Sequence, residues 1–229
     1  MNSYYEEFLK RLVQYRIRLN MTQETISRQL GITQSQLSKQ ELGKIIVPYK
    51  SLVSFMKMGW DVDYLLTGKS FRREESKLTD MLNDVEEVNY KPMLEFITWT
   101  LARGIEKSTS GLSMEDQCEI CILKMKCNED TDESIMYEIR KIAGEAQIAM
   151  AERLGVNIKK YRALEKEQVF PDAELLLGIY EITGCRPSLF LMDDHIEDVI
   201  IDDLWSRVDS ERRKEILAII SQVGQFMKT

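Results

Sequence analysis

Residues 22–41, TQETISRQLGITQSQLSKQE, restrict this chain more than any other stretch. Thr22 carries a hydroxyl that can accept from the free N–H groups at a helix start, and Thr25 offers a second in the first turn. Ile26 and Leu30 follow four residues apart, on one face of that helix. Gly31 stands where a short turn needs a residue that accepts positive φ. Beyond it Ile32 points inward, and Thr33 caps a second helix whose Leu37 returns to the same core. The polar residues of this second helix are then left facing outward: Gln34, Ser35, Gln36, Ser38 and Lys39.

Amides and hydroxyls on one short helix suit base edges and phosphates, because each can donate and accept. An ordinary helix hairpin facing water has the same local pattern, so the wider context decides. Arg16 lies on the preceding helix, Gln23 near the start of the next, and Glu41 closes the third. Lys44 and Pro48 follow in a loop, and Leu52, Phe55 and Met56 point to a fourth helix. On these residues, 3–68 resembles the Cro-repressor-like (Xre) helix-turn-helix family. The resemblance implies a small all-α domain, double-stranded DNA as partner and an ion pair between Arg16 and Glu41. It also implies a bacterial or phage-like regulator.

Read in order, the N-terminal part predicts five helices. The first covers 3–19, with Phe8, Leu12, Val13, Ile17 and Leu19 as its apolar stripe. Gly43 ends the third, Pro48 opens the fourth with Leu52, Val53 and Met56 inward, and Gly59 stops it. Asp61 caps a short fifth helix holding Val62, Leu65 and Leu66, which ends at Gly68. A charged linker, KSFRREES at 69–76, follows. A helix is then expected over 77–89 and another from Pro92 to about 106, with Met93, Phe96, Ile97, Thr100 and Leu101 inward and Trp99 near the edge. Residues 108–111 break the chain, and Ser113 starts a helix with Glu115 and Asp116 in its first turn, where the dipole favours negative charge. Cys118, Cys121 and Cys127 on that helix have the only spacing that hints at a metal. The single histidine, His195, is remote, so core packing beside Ile122 and Met125 is the reading and no cofactor or metal is expected.

An acidic loop at 128–133 precedes an internal repeat. A shift of 124 positions places Arg16 on Arg140, Gln23 on Gln147, Leu30 on Leu154, Gly31 on Gly155 and Glu41 on Glu165. Pro48 meets Pro171 and Gly59 meets Gly184 within one residue of the same shift. The fold expected is therefore all-α: two five-helix lambda-repressor-like helix-turn-helix domains, at 1–69 and 131–192, joined by a helical middle segment at 70–130. The last part, 193–229, adds C-terminal helices. The second copy differs where a recognition face would be. Asn157 can cap, but Lys159, Lys160 and Arg162 replace the amides and hydroxyls, a face able to hold phosphates without the amide pair that reads adenine. DNA contact by this copy and a structural or protein-binding role remain open. One helix over 195–208 turns Ile196, Val199, Ile200, Leu204 and Trp205 inward. The last, capped by Ser210, carries Ile216, Leu217, Ile219, Ile220, Val223, Phe226 and Met227. That wide face suits either a homodimer seam or packing onto the middle segment.

Charge sharpens the reading. The 229 residues carry a net −7, yet residues 1–70 hold ten Lys and Arg against six Asp and Glu. Only that segment has the sign DNA phosphates favour. No run of 18 or more apolar residues occurs and the N-terminus lacks the apolar core of a signal peptide, so no membrane partner and a cytoplasmic setting with reduced thiols are expected. No glycine-rich phosphate loop or nucleophile–histidine pairing appears, which argues against an enzyme. The function expected is a sequence-specific, repressor-like DNA-binding regulator reading the major groove with 34–41. Gln34 and Gln36, with Ser35 beside them, are its base readers, Ser38 lies on the same face, and Gln23, Thr33, Lys39, Lys44 and Lys50 position the backbone. Arg16 with Glu41 and Arg140 with Glu165 have structural roles. The rival is a protein-interaction module in which the second repeat and the acidic middle, in the C-terminal half, bind a partner protein.

Overall fold

The computed structural model describes residues 3–70, 76–107, 111–128, 133–191 and 196–227. Among them are fourteen α-helices, one short 3-10 turn and no strand, so the chain is all-α. The linker at 71–75, part of the breaks at 108–111 and 128–133, and His195 lie outside the described residues. The chain divides into two compact units, each assembled from two stretches: 1–71 with 146–192, and 72–145 with 193–229.

The first unit begins with α1 (Ser3–Arg18), α2 (Gln23–Leu30), α3 (Gln34–Glu41), α4 (Tyr49–Lys57) and α5 (Val62–Thr67). Tyr5, Phe8 and Leu12 of α1 meet Ile26, Leu30, Leu37, Leu52, Phe55, Leu65 and Leu66, all fully buried. Each such side chain contributes ~1.5–3 kcal/mol, well beyond what helices of six to nine residues draw from propensity. Trp60 stacks on Phe55 at 4.7 Å between ring centroids. Arg11 donates to the carbonyls of Leu65 and Leu66 at 2.8 and 2.6 Å, satisfying acceptors that the end of α5 leaves open. The same unit contains α10 (Gln147–Arg153), α11 (Ile158–Glu165), α12 (Ala173–Thr183) and the 3-10 turn Pro187–Phe190. Helix α12 buries Leu175, Leu176, Leu177 and Ile179 and packs against α1, α5 and the 3-10 turn.

The backbone enters the left-handed region at Asn20, Gly31, Gly43 and Gly59, and again at Gly144, Gly155, Glu167 and Gly184. Successive members of the two sets are 124 or 125 residues apart.

The second unit holds α6 (Lys77–Asn83), α7 (Glu87–Glu106), α8 (Met114–Cys127), α9 (Ile135–Ile142), α13 (Ile196–Arg207) and α14 (Ser210–Met227). Helix α7 is its centre and contacts α6, α8, α13 and α14. Gly104 lets α14 approach: a Cβ there would lie 2.8 Å from Ile216 Cδ1. Arg207 on α13 reaches three carboxylates of α8, donating to Asp116 and, at 3.0 Å, to Glu115, with Glu119 at 3.1 Å. Cys118 is fully buried in this core. Among the described residues no group of three or more His, Cys, Asp or Glu could hold a metal ion, and no helix is long and apolar enough to cross a membrane.

Four local expectations are corrected. Ile17 and Leu19 are exposed rather than part of the α1 stripe. At 100° per residue Ile17 lies about 140° around the helix from Leu12, and Leu19 falls beyond the helix end. The helix expected over 77–89 stops at Asn83, and α7 runs through Pro92 instead of starting there. Proline in the second turn forfeits one backbone bond while its fixed φ still suits the helix. Trp99 is not at the edge of the buried face but on its outside, 61% exposed. On α14 only Ile216, Ile220 and Gly224 are buried, a single stripe at every fourth residue, and Ile219 and Phe226 stay exposed.

Candidate nucleic-acid interface

The geometry of the surface around α3 is decided at its two ends. At the start, Thr33 Oγ1 accepts from the Gln36 N–H at 3.2 Å, while Gln36 Oε1 accepts from the Thr33 N–H at 2.9 Å. This reciprocal capping box satisfies two donors and fixes where the first turn begins. At the far end Arg16 makes a two-pronged contact with Glu41, Nε at 2.6 Å and Nη2 at 3.1 Å. Its Nη1 donates to the Met21 carbonyl at 2.9 Å. Gln23 Nε2 adds a donor to Glu41 Oε2 at 2.6 Å. The Glu41 side chain is 5% exposed, so this charge is buried with its partners, and the cluster ties α1, α2 and α3 together.

Between those anchors, Gln34 and Ser35 are exposed, and no hydrogen bond among the described residues holds either side chain. Lys39, Lys44 and Lys50 are exposed as well, Ser38 is half-buried, and Gln40 is buried against the core. Gln36 is exposed, yet its carbonyl oxygen is committed to the cap, which the Thr33-x-x-Gln36 spacing signals in the sequence. Gln23 has its amide nitrogen committed to Glu41. The open polar face is therefore narrower than the residue pattern alone implies: Gln34 and Ser35 at the start of α3, with lysines around it.

Helix α11 has a comparable frame and a different face. Asn157 accepts from the Lys160 N–H at 2.8 Å as N-cap, and Gln147 Nε2 donates to Glu165, in parallel with Gln23 and Glu41. Lys159 is exposed, whereas Lys160 lies 3.4 Å from Asp172 and Arg162 donates to Gln147 Oε1 at 3.3 Å. In the second unit Arg140 donates to the Glu145 carbonyl and lies over the Tyr137 ring. Charge follows the units: the first carries 16 Lys and Arg against 12 Asp and Glu, the second 15 against 26. The unit bearing α3 and α11 is thus the cationic one, at +4.

Neither curated proteins nor solved structures supply a match to the chain. A family model described as helix-turn-helix matches residues 12–55, from the middle of α1 into α4. That stretch is therefore similar to the helix-turn-helix domain of DNA-binding transcription regulators, and α2, the Gly31 turn and α3 are the elements on which the similarity falls.

Proposed function

We propose that this protein is a cytoplasmic, non-enzymatic, sequence-specific transcriptional regulator, repressor-like in action, that places the start of α3 in the major groove. One observation carries the reading: the helix-turn-helix match spans the elements that present Gln34 and Ser35 on a cationic, rigidly framed surface. Gln34 is the principal base reader, because an amide can bond both N6 and N7 of adenine. Thr33, Lys39, Lys44 and Lys50 hold the phosphates. Residues 131–192, with α9–α12 and the 3-10 turn, constitute a second, divergent copy of the same domain. The repeated left-handed turns and the repeated Gln–Glu contact support that assignment.

Selection from a random duplex library with the intact protein tests the reading. A defined motif is expected, with Gln34→Ala relaxing it at one position by ~1–3 kcal/mol. A folded sample that enriches nothing at low salt overturns it. The acidic second unit, with Trp99 and Phe226 exposed, gives a protein-binding role some footing. In that case Gln34→Ala leaves function untouched.

A further inference from the structure

The contacts inside the first unit bear on how many chains one DNA site requires. The offset of 125 that aligns Gly59 with Gly184 also aligns α5 with the 3-10 turn Pro187–Phe190, and these two elements pack on each other. Within them Asp63 meets its own equivalent: Ser188 N–H donates to Asp63 Oδ1 at 2.8 Å and Ser188 Oγ to Oδ2 at 2.6 Å. Contact between equivalent positions of two copies marks the neighbourhood of a two-fold axis, where a symmetric pair meets itself. The tie is buried, with Asp63 8% exposed and Arg186 close enough to act on its charge. A second set of contacts joins the loops that follow α3 and α11. The Val47 carbonyl accepts from the Ala173 N–H, at the start of α12, at 3.0 Å, and Phe170 stacks on Tyr49, at the start of α4, with 4.6 Å between ring centroids.

We infer that one chain is a built-in dimer of heads, with α3 and α11 together reading a single duplex that carries two unlike half-sites. This rests on the regulator reading above. In a two-fold pair of such domains the reading helices enter successive major grooves on one face of the duplex, about 34 Å apart. Here the two positions differ in chemistry. Where α3 offers Gln34 and Ser35, α11 offers Ile158 and Lys159, and Ser38 is matched by Arg162. With Ile158 and Lys159 in place of Gln34 and Ser35, and the Asn157 oxygen committed to the cap, α11 holds its half-site through phosphates and guanine edges, whose acceptors suit Lys and Arg. The ligand is thus an asymmetric site: an adenine-containing half under α3 and a cation-held half under α11.

The test uses the full chain and the duplex recovered from library selection. Native mass spectrometry counts chains per duplex, and footprinting measures the protected length. One chain per duplex, with protection over two turns, is expected. Inserting five base pairs between the halves rotates one by half a turn, and affinity is expected to fall on the order of 100-fold as one head loses its site. Exposed Lys159→Ala should weaken binding by about tenfold and reduce the salt slope by about one, leaving the half read by α3 unchanged. Two chains on one two-half duplex, protection of one half only, or indifference to the insertion overturns the inference while leaving a regulator that reads through α3. Failure to select any motif overturns both.

Discussion

At the scale of single residues, Glu41 and Gln36 separate framework from recognition. Glu41 accepts from Arg16 and Gln23 in a nearly closed environment, so Glu41→Ala strands a buried guanidinium and an amide. A loss of ~3 kcal/mol is expected in urea denaturation, whether or not DNA is present. Gln36→Ala removes half of the capping box and should cost ~1 kcal/mol while leaving the selected DNA motif intact. Gln34→Ala should do the reverse, relaxing the motif without moving the denaturation midpoint. A Gln36→Ala motif as relaxed as that of Gln34→Ala would mean the amide leaves its cap on binding. Cysteine chemistry is also decided residue by residue. Burial beside Glu138 pushes the Cys121 thiol up to about 12, and burial pushes Cys127 to about 11. Both should resist iodoacetamide at pH 8 until the protein is denatured, as followed by intact-mass measurement.

At the scale of elements, the second unit is held by one guanidinium among several carboxylates. Arg207 binds α8 through Asp116, Glu115 and Glu119 and has Asp203 at 3.8 Å on its own helix. The surrounding carboxylates hold Arg207 above its ordinary pKa despite burial. Arg207→Met leaves buried Glu119, Asp116 and Asp203 without that cation. Urea denaturation of Arg207→Met at pH 7 should therefore show a loss of ~3 kcal/mol. An unchanged denaturation midpoint would exclude the ion cluster as a main support of this unit. Helix α7 illustrates the opposite case, where a sequence signal was outweighed. Pro92 reads as a helix start, yet α7 begins at Glu87 and forgoes one backbone bond at Pro92, while Asn89 Nδ2 in that early turn donates to the Met227 carbonyl of α14 at 2.7 Å.

At the scale of the whole molecule, Asp63 carries a pH signature of the pairing between α5 and the 3-10 turn. Burial raises its pKa above the ordinary value against the lowering by Ser188 and Arg186. Its contribution to stability is present below about pH 4 and is lost as pH climbs through the raised folded value. Asp63→Asn keeps an acceptor for the Ser188 N–H and removes that dependence, which urea titrations across pH 4–7 would reveal as a flatter profile. Chain-level sorting of charge follows the same packing. The cationic first unit draws its whole +4 from residues 1–71, because 146–192 balances six Lys and Arg against six Asp and Glu, whereas both stretches of the second unit are acidic.

What the sequence by itself determined is local. Capping threonines, Ile26, Leu30 and Leu37 at helical spacing, and the Gly31 turn act within about ten residues, so α2, α3 and the outward setting of Gln34 and Ser35 were legible there. Even the diversion of Gln36 into a cap was written in the Thr33-x-x-Gln36 spacing. The Arg16–Glu41 pair, implied by family resemblance, was met at 2.6 Å. Tertiary structure alone decided which surfaces were used up. Asp63 and Ser188, Val47 and Ala173, or Arg207 and Asp116 lie about 90 to 126 residues apart. No periodicity couples residues at that range, because such contacts come from burying many apolar side chains at once rather than from any local preference of the chain.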